Sequence, residues 1–318
     1  MSDDAPSAVL GPGLSATLDG NADKATTQPE PGTALREPSV RPAAVPDELH
    51  ALARRLPPRV YLGTSSWITC HVPWKKTDLV HNMASLPSAL PGRYFVANEQ
   101  ETAGACLTWL RDNLLHPDDA LGSAPAPGDF MARLDDTAAT SAPGAGGVLF
   151  TPWLYGERCP IADHAVRAAF LGLSLTTTRA DMLRAVLEGV ALNSRWLLLA
   201  LEKFVGRRLD PIRIIGGGAR SALWCQIYAD VLGREIEQVE DALQCNARGA
   251  ALLASLGLGL VKVDEIPSHV TVSARFTPRT EHGPLYERRF QEYRTLYRNT
   301  KGMYARRHED DEERRKTP

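Results

Sequence analysis

Apolar positions along this chain recur with two periods, and the alternation of those periods predicts a mixed α/β domain that begins near Arg59. Val60, Tyr61 and Leu62 read as a strand, Gly63 to Ser66 as a polar turn, and Trp67 to Val72 as a returning strand. Residues 101–115 read as helical. Residues 116–147 are rich in Pro, Gly, Ala and Asp and predict a loop with a short helix inside it, followed by a short apolar strand at Val148, Leu149 and Phe150. The strongest helical signal covers 179–203, where Leu183, Val186, Leu187, Val190, Leu197 and Leu201 recur at steps that put them on core-facing positions. A strand at Ile212–Ile215, three glycines, a helix over 221–232 closed by Gly233, a strand near Glu235–Val239 and a helix over 246–256 complete a β, α, β, α order.

The ends of the chain have a different texture. Residues 1–46 hold seven prolines and no aromatic residue, so they bury too little apolar surface to offset the entropy of ordering. Leu49, Leu52, Ala53 and Leu56 predict one short helix over 47–56, stopped by Pro57 and Pro58. The run from Ala305 to Pro318 is dominated by charged residues and predicts a solvated, frayed tail. The expected layout is therefore a disordered or unassigned segment over 1–58, an α/β domain over 59–300 and a charged flexible tail over 301–318.

Composition narrows the partners. With 36 basic and 38 acidic residues the net charge is -2, which gives no general attraction to polyanions, and the six tryptophans lack interleaved basic residues, so nucleic acid is not expected. The five cysteines are scattered, with no Cys-x-x-Cys pair and no His at zinc-finger spacing, so free thiols in a reducing cytoplasm are expected and no metal site is assigned. Arg184, Glu188 and Asn193 interrupt the longest apolar stretch, so no membrane helix is expected. Asp3 and Asp4 stand where a secretory leader carries positive charge. A homo-oligomer is left open.

Two segments carry candidate chemistry. Gly216, Gly217 and Gly218 follow a strand and precede a helix, where bare backbone can approach a nucleotide. Ser221 replaces the last glycine of the dinucleotide fingerprint, so the alternatives are a nucleotide contact or simply a tight strand-to-helix turn. The Gly63–Ser66 tip offers backbone N–H groups and hydroxyls suited to a terminal phosphate, though taken alone it reads first as an ordinary hairpin turn.

Their order along the chain resembles the FGGY carbohydrate kinases, most closely the xylulokinase-like members, over roughly 59–260. The resemblance runs through Leu62-Gly63-Thr64-Ser65-Ser66-Trp67, Glu101-Thr102-Ala103-Gly104 with Trp109-Leu110-Arg111-Asp112, and Pro152 to Pro160 with Gly156-Glu157-Arg158. It continues through Ala168 to Leu173, Asp181-Met182 and Ala185-Val186-Leu187-Glu188-Gly189, and closes with Gly216 to Ser221, Trp224, Ala229-Asp230 and Gly249-Ala250-Ala251. It implies an actin-like, ribonuclease H-like fold, of which this chain would be the single C-terminal lobe, with ATP and Mg²⁺ in the cleft and the metal held through the ATP phosphates. It further implies that Thr64 contacts the terminal phosphates, that Gly104 lines the nucleotide site, and that Gly217 and Gly218 pack against adenosine. Glu188 reads as an internal structural carboxylate, His71 and His81 as surface loop histidines, the tryptophans as core or lobe-interface anchors, and Arg158 as either a ligand contact or an ion-pair partner of Glu157 or Asp163.

The resemblance does not extend over residues 1–58. In the family the base that accepts the sugar hydroxyl proton is an Asp in a Gly-Asp-Asn-like segment upstream of the hairpin, and the sugar pocket also lies upstream. Here the region reads Pro42-Ala43-Ala44-Val45-Pro46-Asp47-Glu48, and Asp47 lacks the flanking glycine, so no catalytic residue is assigned. The expectation is a sugar kinase lobe that acts on a ketose or polyol only when a first lobe is supplied, with a non-catalytic nucleotide-binding module or an inactive truncated remnant as the alternatives.

Overall fold

A five-stranded sheet at the centre of the domain has the order β11-β10-β9-β1-β2, built from β1 (Arg59–Leu62), β2 (Ser66–Thr69), β9 (Ile212–Ile215), β10 (Ile236–Val239) and β11 (Val272–Phe276). The computed structural model describes residues 56–316 except Pro91 and Ser123, with side chains described as far as Asp310. The helix predicted over 47–56, the N-terminal segment and Asp47 lie outside the described residues, apart from Leu56.

The inner strands β1, β9 and β10 run parallel, and β2 and β11 pair antiparallel at the two edges. Alternation decides which face each side chain takes: Val60 and Leu62 are buried on β1, and Ile212 and Ile214 on β9. A second, antiparallel sheet has the order β3-β6-β5-β4, from β3 (His71–Val72), β4 (Thr77–Asp78), β5 (Met83–Pro87) and β6 (Tyr94–Ala97). The returning strand predicted over 67–72 is thus divided. It ends at Thr69, and His71–Val72 pairs with Tyr94 and Phe95 in the other sheet.

Helices follow where the periodicity puts them. After α1 (Gly104–Leu110), which passes into one π turn at Arg111–Leu115, come α2 (Phe130–Ala139), the strand pair β7 (Leu149–Thr151) and β8 (Ala169–Leu171), and α3 (Arg179–Val205). A reciprocal capping box between Thr178 and Asp181 starts α3, and Gly206, at φ 71°, ends it. Its apolar face closes the core against β7 and α4 (Ala222–Leu232), itself capped by Ser221 and by Gly233 at φ 63°. Gly189 of α3 meets β7 so closely that an added β-carbon would overlap the Phe150 carbonyl oxygen.

Two elements at the C-terminal end complete the domain. Helix α5 (Cys245–Gly257) buries none of its residues; with Ile215 and Val239 of the sheet it walls an apolar groove of about 450 Å³. The last helix, α6 (Gly283–Lys316), packs Tyr286, Phe290 and Tyr293 into the core. It continues through the charged run from Ala305, where composition predicts a frayed tail.

Candidate functional site

Three walls enclose a cleft of about 970 Å³ that Thr64, Gly104, Gly217 and Gly218 all line. The first wall is the β1–β2 hairpin with the start of α1. At the hairpin tip Gly63 N donates to Ser65 O (2.9 Å), while the tip carbonyls take up the first amides of α1: Gly104 N donates to Gly63 O (2.8 Å), and Ala103 N and Ala105 N to Thr64 O (2.8 and 3.1 Å). The start of α1 therefore has its donors satisfied by the hairpin rather than by a side-chain cap. Among the described residues the Thr64 side chain has no hydrogen-bond partner, and Thr64 is exposed to the cleft.

Gly104 makes that junction possible, since a β-carbon there would stand 2.6 Å from Gly63 O. The segment leading into it is held from below. Ser66 and Gln100 exchange backbone hydrogen bonds (3.1 and 2.8 Å), and the Gln100 side chain accepts from Ser194 Oγ at 2.9 Å and donates to Thr102 O at 2.9 Å. A buried polar chain on α3 and α4, Ser194 with Tyr228 at 2.9 Å, thus fixes the base of the hairpin.

The second wall is the glycine turn between β9 and α4, and its three glycines have three different reasons. Gly216 adopts φ 94° and passes Leu62 O, which a β-carbon would approach to 2.6 Å. At Gly218 a β-carbon would meet Leu62 Cγ at 2.5 Å and Trp224 Cζ3 at 2.9 Å, so the core requires glycine there. Gly217 alone faces open space, with only Leu243 Cδ2 within 4 Å, at 3.8 Å. Both Gly217 and Gly218 line the cleft, but only at Gly217 would a side chain find room.

The third wall, residues 126–135 at the start of α2, was not anticipated. Its sequence is a Pro-, Gly- and Ala-rich stretch whose only signal is the helical spacing of Phe130, Leu134 and Ala138. Four charged residues line the cleft. Arg111 is paired with Asp112 (2.6 Å), Asp129 with Arg133 (2.7 Å), and Arg220 is exposed at the rim. Asp135 forms no ion pair among the described residues. Burial holds its carboxyl above the usual range, offset in part by a hydrogen bond from the Ser221 hydroxyl.

The remaining candidates fall elsewhere. Glu188 is buried beneath α6, ion-paired with Arg184 (2.7 Å) and accepting from Gly144 N (3.0 Å) and Tyr286 Oη (2.8 Å), which is the structural carboxylate expected. Arg158 pairs with Glu99 and Glu101, both at 2.7 Å, rather than with Glu157 or Asp163. Glu157 is itself buried, accepting from the backbone amides of Glu101 and Arg158 and from Asn193 Nδ2 (2.7 Å). His71 is not a surface loop histidine. It lies on β3, half-buried, with Nε2 3.0 Å from Ser88 Oγ, and burial together with the charges of Arg59 and Arg93 lowers its pKa to about 4. Trp153 and Trp224 are core residues, whereas Trp67 and Trp109 are exposed. All five cysteines are free. No described helix is long and apolar enough to cross a membrane.

Residues 60–258 match the C-terminal domain of the FGGY family of carbohydrate kinases. Over 247 residues the chain is 31% identical to a xylulose kinase of Staphylococcus epidermidis, covering 77% of this chain and 47% of that protein. Over 240 residues it is 31% identical to the gluconokinase of Bacillus subtilis, covering 74% and 44%. Its fold matches the crystal structure of xylulose kinase from Rhodospirillum rubrum with a TM-score of 0.66 at 27% identity, over 81% of this chain and 50% of that one. The architecture is thus that of an actin-like ATPase lobe of the sugar-kinase class. The chain belongs to the FGGY family of carbohydrate kinases. It spans about half the length of the relatives it matches.

Proposed function

We propose that the cleft binds ATP with a divalent metal and that this chain is the nucleotide-binding lobe of a carbohydrate kinase acting on a ketose or polyol. The observation that carries the reading is the convergence of the hairpin tip, the α1 junction and Gly217 on one cleft, with a free threonine hydroxyl at one wall and unobstructed backbone at another. The residues fit the ligand chemically. Thr64 offers an N–H and a hydroxyl to phosphate oxygens, and Gly217 lets a flat base approach the chain. The metal would be carried on the ATP phosphates, where it neutralises charge during phosphoryl transfer.

Phosphoryl transfer to a sugar also needs an acceptor pocket and a carboxylate within reach of the hydroxyl proton. Asp129 of this cleft is paired with Arg133 at 2.7 Å, and no carboxylate of the cleft is assigned that task. Those two parts therefore fall to a first lobe. A non-catalytic nucleotide-binding module would use the same cleft, and sugar-stimulated turnover on addition of a first lobe separates the two readings. Isothermal titration of the 318-residue chain with ATP and Mg²⁺ tests the shared core of both. Saturable binding that Thr64→Val weakens is expected, and absence of binding to a folded chain overturns it.

A further inference from the structure

Helix α5 is apolar yet unburied. Leu252, Leu253 and Leu256 stand on it, none of its 13 residues is buried, and Leu253 is 45% exposed. Together with Leu90, Ile266 and Val270 these leucines line the apolar groove of about 450 Å³. A contiguous apolar surface of this kind marks a place where another element packs. Leu56, the first described residue, lines the same groove, only 9% exposed and packed with Leu90 and Val263. The polypeptide that precedes it therefore reaches the domain at this groove.

The sequence before Leu56 has the pattern such a groove requires. Leu49, Leu52, Ala53 and Leu56 recur at the spacing of one helix face, and Leu56 is the last position of that stripe. Asp47 and Glu48 open the segment and Arg54 and Arg55 close it, the order the helix dipole favours. A helix of this length is marginal in water, so its formation depends on burying its apolar face. With Leu56 anchored, the stripe extends about 10 Å back to Leu49, at about 1.5 Å per residue. No linker separates the stripe from its anchor, so the effective concentration of the segment at the groove is high. We propose that residues 47–55 dock on helix α5 as an amphipathic helix and fill the groove with Leu49, Leu52 and Ala53. The chain then carries its own cover for an apolar face, and the reading is independent of what the cleft binds.

The test uses the full 318-residue chain and a reporter it already carries. Cys245 lines the groove and is partly exposed, whereas the other four cysteines are buried. In the double variant Leu49→Asp, Leu52→Asp, hydrogen exchange of the Cys245–Gly257 amides and alkylation of Cys245 by iodoacetamide are each expected to quicken about tenfold, since two apolar contacts are lost. Ala51→Asp, on the opposite side of the same helical pattern, is expected to leave both rates unchanged. Exchange in the middle of α3 reports that the domain stays folded in every variant. Unchanged rates in the folded double variant overturn the proposal, as does an equal effect of Ala51→Asp. Protection that rises with the concentration of the unmodified chain also overturns it and assigns the groove to a second copy. A further measurement does not depend on any destabilising change: the photo-crosslinker p-benzoylphenylalanine at position 49 is expected to join α5 within a single chain, and crosslinks only to other elements or between chains overturn the docking.

Discussion

Glycine does three separate jobs within three consecutive positions, and substitutions read them apart. A β-carbon at Gly217 meets nothing closer than Leu243 Cδ2 at 3.8 Å, so Gly217→Val is expected to melt near the unmodified temperature, while on the proposed nucleotide reading ATP affinity drops severalfold or more in titration. Gly218→Ala drives a β-carbon against Leu62 and Trp224 and is expected to cost about 1–3 kcal/mol of stability in denaturant unfolding, whatever happens to binding. A second residue-level consequence concerns acid. His71 is held neutral, with its pKa lowered from 6.5 to about 4, so the unfolded chain binds the extra proton first. Its contribution is therefore intact above about pH 6.5 and is lost as pH falls toward 4, by at most about 3 kcal/mol at 1.36 kcal/mol per unit. His71→Gln is expected to flatten that limb of a stability–pH curve measured by chemical denaturation. An unchanged slope would place the acid sensitivity in other groups.

Among the elements, those legible in the sequence are those with a strong period and a chemical stop. The helix read over 179–203 is Arg179–Val205, because a capping residue, seven turns of apolar spacing and a following glycine all agree. The hairpin and the β9–turn–α4 unit are legible for the same reason, whereas Thr64, Gly104, Gly217 and Gly218, which all line the cleft, are singled out only by the order of motifs that resembles the family. The second sheet was not legible. Its strands are two to five residues long, so each shows too little of the two-residue period to register, and Cys70 gives no sign that the chain changes sheets there. The third cleft wall was hidden similarly, inside a Pro- and Gly-rich stretch, and Asp135 with it. Helix α6 was hidden by its charge: Tyr286, Phe290 and Tyr293 have helical spacing, but the residues between them swamp it. Where α3 crosses β7, Gly189→Val is expected to destabilise the domain by several kcal/mol, more than Thr178→Ala, which removes a cap worth about 1 kcal/mol. Thermal melting of both variants ranks them.

On the scale of the whole molecule, binding and turnover should separate. If the base and the acceptor pocket belong to a first lobe, as proposed, the 318-residue chain is expected to bind ATP yet release no ADP in response to D-xylulose in a coupled assay, since lack of a general base costs about 10² to 10⁴ in rate and lack of an acceptor pocket forfeits the orientation that makes transfer effectively unimolecular. Ketose-stimulated turnover by the purified chain, abolished by Thr64→Val, would show that these residues suffice for catalysis. Stability should separate as well. Helix α5 covers an apolar groove without sinking any side chain into the core, whereas α3 is buried along much of its length. In hydrogen–deuterium exchange the amides of Cys245–Gly257 should open by local fluctuation, far below the free energy of global unfolding, while those in the middle of α3 exchange only when the domain unfolds. The lobe would then hold two clocks, a slow one in its centre and a fast one along the rim of the groove, and any molecule that seats in that groove would be seen first as a slowing of the fast one.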